Sequence, residues 1–161
     1  MSALDLATLI GQIGTAYQCY KEEFTSNGFD GRMLKEYARQ PAEQLFVVLS
    51  EMNVHKELHR RRIYAELTKL WAPLKSTRLL ALSANDVSAV VGELGDATKI
   101  YKQYQQSFVD NGFDGTMLSA LIGVSDPDVL KLFEKDLEIS KLLHRQKILT
   151  SLKDLQLKHS A

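Results

Sequence analysis

The densest group of chemically active side chains in this sequence is HKELHRRR, His55 to Arg62. His55 and His59 stand four apart, a spacing at which two imidazoles on one helix face can share a zinc ion. A related stretch later in the chain has Ser140 at the place of His55, so the pair is not repeated and a metal role is set aside. Lys56, Arg60, Arg61 and Arg62 crowd one expected helix start. Exposed cations there oppose the helix macrodipole by about 0.3–1 kcal/mol each, an arrangement that suits an anion or an acidic partner better than stability. Glu57 offsets part of that charge, and the plainer reading is a solvated, charged helix face. GQIG, Gly11 to Gly14, is no dinucleotide fingerprint, because no strand precedes it. Cys19 has no base placed near it in sequence, so an inert, buried or half-buried thiol is expected. No catalytic set and no cofactor site emerges, and the chain reads as a non-enzyme.

The elements that carry these residues occur twice. SNGFDGRML, Ser26 to Leu34, returns as DNGFDGTML, Asp110 to Leu118, at an offset of 84. Tyr20 and Phe24 recur as Tyr104 and Phe108, and LHRRRIYAEL from Leu58 recurs as LHRQKILTSL from Leu143 at an offset of 85. Three residues are inserted just after Gly95, and one more is gained between the repeated loop and the last helix. A repeat of this size makes two small domains, each with a thin core. Every segment has helical rather than alternating periodicity. Ser2 with Asp5, and Ser83 with Asp86, predict capping boxes that open a short first helix. Asn27-Gly28 predicts a left-handed helix stop, Phe29 and Phe113 are expected in the core, and Asp30 and Asp114 are expected to cap the next helix. Asp126 is expected as a cap with Pro127 at the first helical position, and Pro41 plays a similar part in copy one. The last helix of each copy carries Ile63, Leu67, Leu70 and Ile148, Leu152, Leu155 on one face. The expected division is a domain over 1–74, a linker over 75–82 and a domain over 83–161. Pro73 is expected to end the final helix of copy one. Leu79, Leu80 and Leu82 make the linker too apolar for a free tether, so it is expected to pack and hold the copies in a fixed relation, and Trp71 is expected to cover the seam between them.

The composition fits a globular chain: 45% hydrophobic, 25% charged, formal net charge zero. A neutral chain is not one built mainly to hold nucleic acid. One cysteine allows no internal disulfide, which fits a reducing, cytoplasmic setting. No apolar run reaches the roughly 18 residues of a membrane span, and MSALDLATLI has no basic leader region.

Taken in order, these residues resemble the sterile alpha motif (SAM) domain, twice in tandem. The family pattern of a Tyr-x-x-x-Phe, a loop ending Asp-Gly, a leucine-rich middle and a last helix opening His-Arg is met by Tyr20/Phe24, Asp30-Gly31, Leu34 and His59-Arg60. The second copy meets it with Tyr104/Phe108, Asp114-Gly115, Leu118, Leu121 and His144-Arg145. Departures are the lack of a tryptophan near the first helix, Met52-Asn53-Val54 and Leu137-Glu138-Ile139 in place of leucine-glycine-isoleucine, and Leu58 or Leu143 in place of the glycine before His-Arg. The resemblance implies an all-α fold of two five-helix bundles, joined here through a short apolar linker. It also implies head-to-tail protein association between the start of the last helix, usually basic, and an acidic mid-domain surface.

The charges follow that scheme. Residues 1–82 hold eleven Lys/Arg against nine Asp/Glu, a charge of +2, and the remainder carries −2. The expected basic patch is Lys56, His59, Arg60, Arg61 and Arg62, with Lys141, His144 and Arg145 at the same place in copy two. The expected acidic patch is Asp126, Asp128, Glu134, Asp136 and Glu138. Complementary charge would set register and association rate between chains. The expected partner is another copy or another SAM-domain protein. RNA-hairpin binding through Arg60, Arg61 and Arg62 is the alternative, disfavoured because copy two lacks the cluster and no aromatic is clearly presented for stacking.

Overall fold

The computed structural model of the chain describes residues 1–71, 78–95 and 99–159. Pro73, part of the expected linker and the three-residue insertion after Gly95 lie outside the described residues. Among those described, every regular element is helical, and the chain divides into two compact units, Met1–Leu74 and Lys75–Ala161. No described helix is long and apolar enough to cross a membrane.

In the first unit, α1 (Ala3–Gly11) opens on the Ser2 capping box, with Ser2 Oγ accepting from the Asp5 amide and Asp5 accepting from the Ser2 amide. A 3-10 turn, Thr15–Tyr20, leads into α2 (Lys21–Ser26). Its three-residue period carries Tyr17 and Tyr20 inward and leaves Cys19 exposed, against the buried or half-buried thiol expected from the sequence. α2 ends in a Schellman motif. Gly28 stands at φ 63°, its amide donates to the Thr25 carbonyl, and the Phe29 amide donates to the Phe24 carbonyl at 3.0 Å. The two Phe rings meet edge to face at 5.4 Å inside the core. Asp30 then caps α3 (Gly31–Tyr37) by accepting from the Arg32 and Met33 amides. α4 (Ala42–Glu51) follows Pro41 at the cap position, and α5 (Glu57–Trp71) closes the unit. Leu6, Ile10, Tyr17, Phe24, Phe29, Leu45, Leu49, Ile63 and Leu67 form one buried cluster.

The second unit repeats this plan. α6 (Ala84–Gly92) has the Ser83–Asp86 capping box. A 3-10 turn, Ile100–Tyr104, runs into α7 (Gln105–Asp110), which ends at Gly112 with φ 61° and the same Phe113-to-Phe108 bond at 2.9 Å. α8 (Gly115–Ala120) is capped by Asp114. α9 (Asp126–Lys135) is capped by Ser125, one residue before the expected Asp126, so Pro127 falls at the second helical position. The Ser125 hydroxyl reaches the Asp128 amide, a reach the Asp126 side chain loses once it is inside the first turn. α10 (Leu142–His159) is the last and longest helix of the unit.

The turn before each last helix explains one departure from the family pattern. Asn53 at φ 60° and Glu138 at φ 57° occupy the left-handed position that a glycine fills without strain. The Val54 amide bonds back to Leu49, and the Ile139 amide to Phe133. Copy two carries one more residue across that closure, which accounts for the change of offset from 84 to 85.

Candidate protein-interaction site

The start of α5 holds its cations in bonds of its own. Arg60 Nη1 donates to the Val54 and His55 carbonyls, each at 2.7 Å, and so ties down the loop that enters the helix. Arg61 clasps Glu57 through Nε and Nη2 and lies over the Phe46 ring. Arg62 is buried against Glu66 at 2.7 Å, and Lys69 meets the same carboxylate at 2.8 Å. Burial alone would raise the Glu66 carboxyl, but the Lys69 hydrogen bond and the Arg62 charge outweigh it and hold Glu66 below its ordinary value. Lys56 is half-buried.

His59 is also inside. Its Nδ1 meets the Tyr20 hydroxyl at 2.7 Å, and its ring lies 4.5 Å from that of Tyr17. The second unit repeats this with Tyr104 and His144 at 2.6 Å, and with Tyr101 and His144 rings at 4.9 Å. Burial first, and then the Lys141 charge, lower the His144 pKa below its ordinary value. A neutral ring leaves Nδ1 free to accept from the Tyr104 hydroxyl, which locks the 3-10 turn to the last helix. Sequence reasoning left these histidines in the basic patch. The signal that could have found their true role was that Tyr20 and His59 recur together as Tyr104 and His144.

Arg145 is likewise buried, with Glu134 on Nη1 at 2.6 Å. Four residues of the expected patch, His59, Arg62, His144 and Arg145, are thus withdrawn from solvent because each completes a contact within its own unit. Of the acids, Asp136 is buried, Glu134 is engaged by Arg145, and Asp126 meets Lys153 at 2.5 Å. Asp128 and Glu138 are exposed. Three of the apolar residues expected at the joint each have a place within one unit. Trp71 packs edge to face on Tyr64, with ring centroids 6.1 Å apart, in the first. Leu79 is buried in the second, its amide donating to the His159 carbonyl, with Leu80 half-buried beside it. No group of three metal-ligating side chains occurs among the described residues.

Equivalent positions in the two units differ most at two surfaces. At the start of the last helix, Leu58 is fully buried, whereas its counterpart Leu143 is 71% exposed beside exposed Leu142, Lys141 and Lys147. At the end of the second helix the order reverses: Asn27 and Gly28 are exposed, Asn111 and Gly112 are buried. Around Asn27-Gly28 the first unit carries acids. Asn53 Nδ2 donates to Glu23, which ties the turn after α4 to α2, and Glu22 and Glu51 are exposed. The second unit has Gln106, Ser107 and Lys135 at those positions.

Residues 96–156 match the family model of the SAM domain (sterile alpha motif). The matched stretch takes in α7 to α9 and most of α10. SAM domains are in general protein–protein interaction modules. No curated protein and no solved structure matches the chain.

Proposed function

We propose that the chain is a tandem pair of SAM domains that binds further copies of itself head to tail. Support for a second SAM domain in residues 1–74 comes from the capping box, Schellman turn, aspartate cap and Tyr–His bond, repeated in the same order in both units. It acts as a binding module rather than an enzyme, and its lone cysteine fits a cytoplasmic setting.

One observation carries the assembly reading. The helix start is open in the second unit and the acidic loop edge is open in the first. Lys141, Leu142, Leu143 and Lys147 of one molecule then face Glu22, Glu23 and Glu51 around Asn27-Gly28 of the next. Apolar anchors with opposite charge on the rims are what such a contact needs. A contact between unlike surfaces propagates into a ring or an open filament, according to whether its rotation closes. The pairing read from sequence, Lys56, His59, Arg60, Arg61 and Arg62 against Asp126, Asp128, Glu134, Asp136 and Glu138, is the competing geometry, and of these His59, Arg62 and Asp136 are buried. It has less free charge, because Arg60 and Arg61 are already engaged.

Light scattering after size exclusion tests the reading. Leu143→Glu and, separately, Glu22→Lys/Glu51→Lys should each abolish assembly. Mixing the two variants should restore a dimer, because each retains one intact face. Lys56→Glu/Arg61→Glu should leave the mass unchanged. A loss of assembly in that last variant alone would favour the competing geometry, and a monomeric wild type at every concentration and salt would overturn self-assembly.

A further inference from the structure

The two units also differ at the start of their third helix. In the second unit this place is covered. Residues Leu79–Leu82 form a turn, closed by the Leu82 amide on the Leu79 carbonyl, and the turn lies on Gly115. Its Leu79 amide donates to the last-helix carbonyl of His159, and its Leu82 carbonyl accepts from the Gly115 amide at 2.9 Å. Under it Gly115, Thr116, Met117 and Leu118 are all buried. The Gln156 side chain closes the edge by donating to the Leu118 carbonyl.

In the first unit no described residue beyond Met1 covers the same place. The Gly31 amide donates to the Met1 carbonyl at 3.0 Å, so Met1 stands where Leu82 stands. Beside Met1 there is a cavity of about 620 Å³, lined among the described residues by Met1, Gly31, Leu34, Leu70 and Trp71, with the charged side chains of Asp30, Arg32 and Lys35. Its floor is apolar. Leu70 replaces Leu155, and Trp71 takes the place of the Gln156 that closes the sister site. Its rim carries two cations, with Arg32 and Lys35 in place of the sister site's Thr116 and Ser119. Arg32 is 94% exposed, and Lys35 is exposed as well.

We propose that this cavity binds a short turn of a partner protein that is leucine-rich and flanked by carboxylates. The leucine content follows from the sister site, where a Leu-Leu-Ala-Leu turn fills the equivalent space. The acidic flanks follow from the two rim cations that the first unit alone carries. Asp30 also lines the cavity and meets Arg32 Nε at 3.5 Å, but its counterpart Asp114 is present in the second unit as well, so the first site still carries two cations that its sister lacks. The cavity shares no lining residue with either face of the head-to-tail contact, so the proposal does not rest on self-assembly.

The probe is the acetylated, amidated peptide DLLALD, titrated into the ¹⁵N-labelled full chain, with KLLALK as its charge-reversed control. Amides of Gly31, Arg32, Leu34 and Lys35 and the Trp71 indole should shift, and those of Gly115 to Leu118 should not, because their site is already filled. Arg32→Glu/Lys35→Glu, at exposed positions, should weaken DLLALD by about three- to tenfold, the range of two exposed ion pairs, and make KLLALK the better ligand. Absence of shifts in the first unit, equal shifts in both units, or equal binding of the two peptides to the wild type would overturn the proposal.

Discussion

Replacing Gly115 with alanine should destabilise the second unit by a net of about 1–3 kcal/mol, while Gly31→Ala should be close to neutral. A methyl group on Gly115 runs into the Leu79 backbone carbonyl. The chain can respond in two ways. Either the turn stays and its backbone is pushed aside, at about 1–3 kcal/mol for overpacking, or the turn lifts away. Lifting exposes Leu79, at about 2 kcal/mol, and breaks the Leu79–His159 and Gly115–Leu82 bonds, at about 1 kcal/mol each. The cheaper response sets the loss, so lifting caps it near 4 kcal/mol. The better helix propensity of alanine returns up to about 1 kcal/mol. At Gly31 the nearest atom to such a methyl is the Met1 carbonyl at 3.1 Å, which a small shift accommodates, and the propensity gain is the same. Urea unfolding followed by circular dichroism measures both variants, and amide exchange assigns the loss to α8 and α10. Equal losses in the two variants, or a Gly115→Ala loss within about 0.5 kcal/mol of zero, would refute the account of the turn as packed cover.

Three further outcomes follow from the same geometry. Glu138→Gly should stabilise the second unit by about 0.5–1 kcal/mol, because glycine relieves the left-handed backbone at φ 57°; an unchanged urea midpoint would contradict it. Tyr20→Phe and Tyr104→Phe should each cost about 1 kcal/mol by removing a hydroxyl bond to a buried histidine, read from the same midpoints. The His144 pKa is depressed by burial and by Lys141, so below 6.5 the unfolded chain takes up the proton first. Stability should therefore be full above that pH and fall as pH drops toward the depressed native value, and His144→Gln should flatten that part of the urea-midpoint profile.

The backbone plan was legible because its punctuation is local. Ser2 with Asp5, Gly28 with Phe29, and Asp30 each act within a few residues, and their recurrence in the same order in copy two, 81 positions on for the first and 84 for the others, marks them as signals rather than accidents. The side-chain assignments failed where the cause is not local. Cys19 is exposed because a 3-10 turn, not an α-helix, carries Tyr17 and Tyr20 inward. His59 is buried because Tyr20, 39 residues earlier, needs a partner. Arg62 was read as surface charge from its neighbours in sequence, yet Glu66 one turn on pairs with it below the surface. Charge clusters in a linear reading mix residues that face out with residues that brace the fold, and only packing separates them.

Repetition itself supplies the sharpest functional argument. Interior positions are held nearly alike between the units: Phe24 with Phe108, Phe29 with Phe113, Tyr17 with Tyr101, His59 with His144. A constant interior means that differences at equivalent surface positions are not required by the fold. Lys35 against Ser119, Glu22 against Gln106 and Glu51 against Lys135 are such differences, and Arg32 joins them at a place where the second unit buries Thr116; all four change charge. They fall at two places: the acidic edge beside Asn27-Gly28 and the cationic rim around Gly31. Two units that served as interchangeable spacers would have no reason to diverge there. A molecule that offers one face to its successor and another to a leucine-bearing partner would need the first unit to carry charges that the second does not.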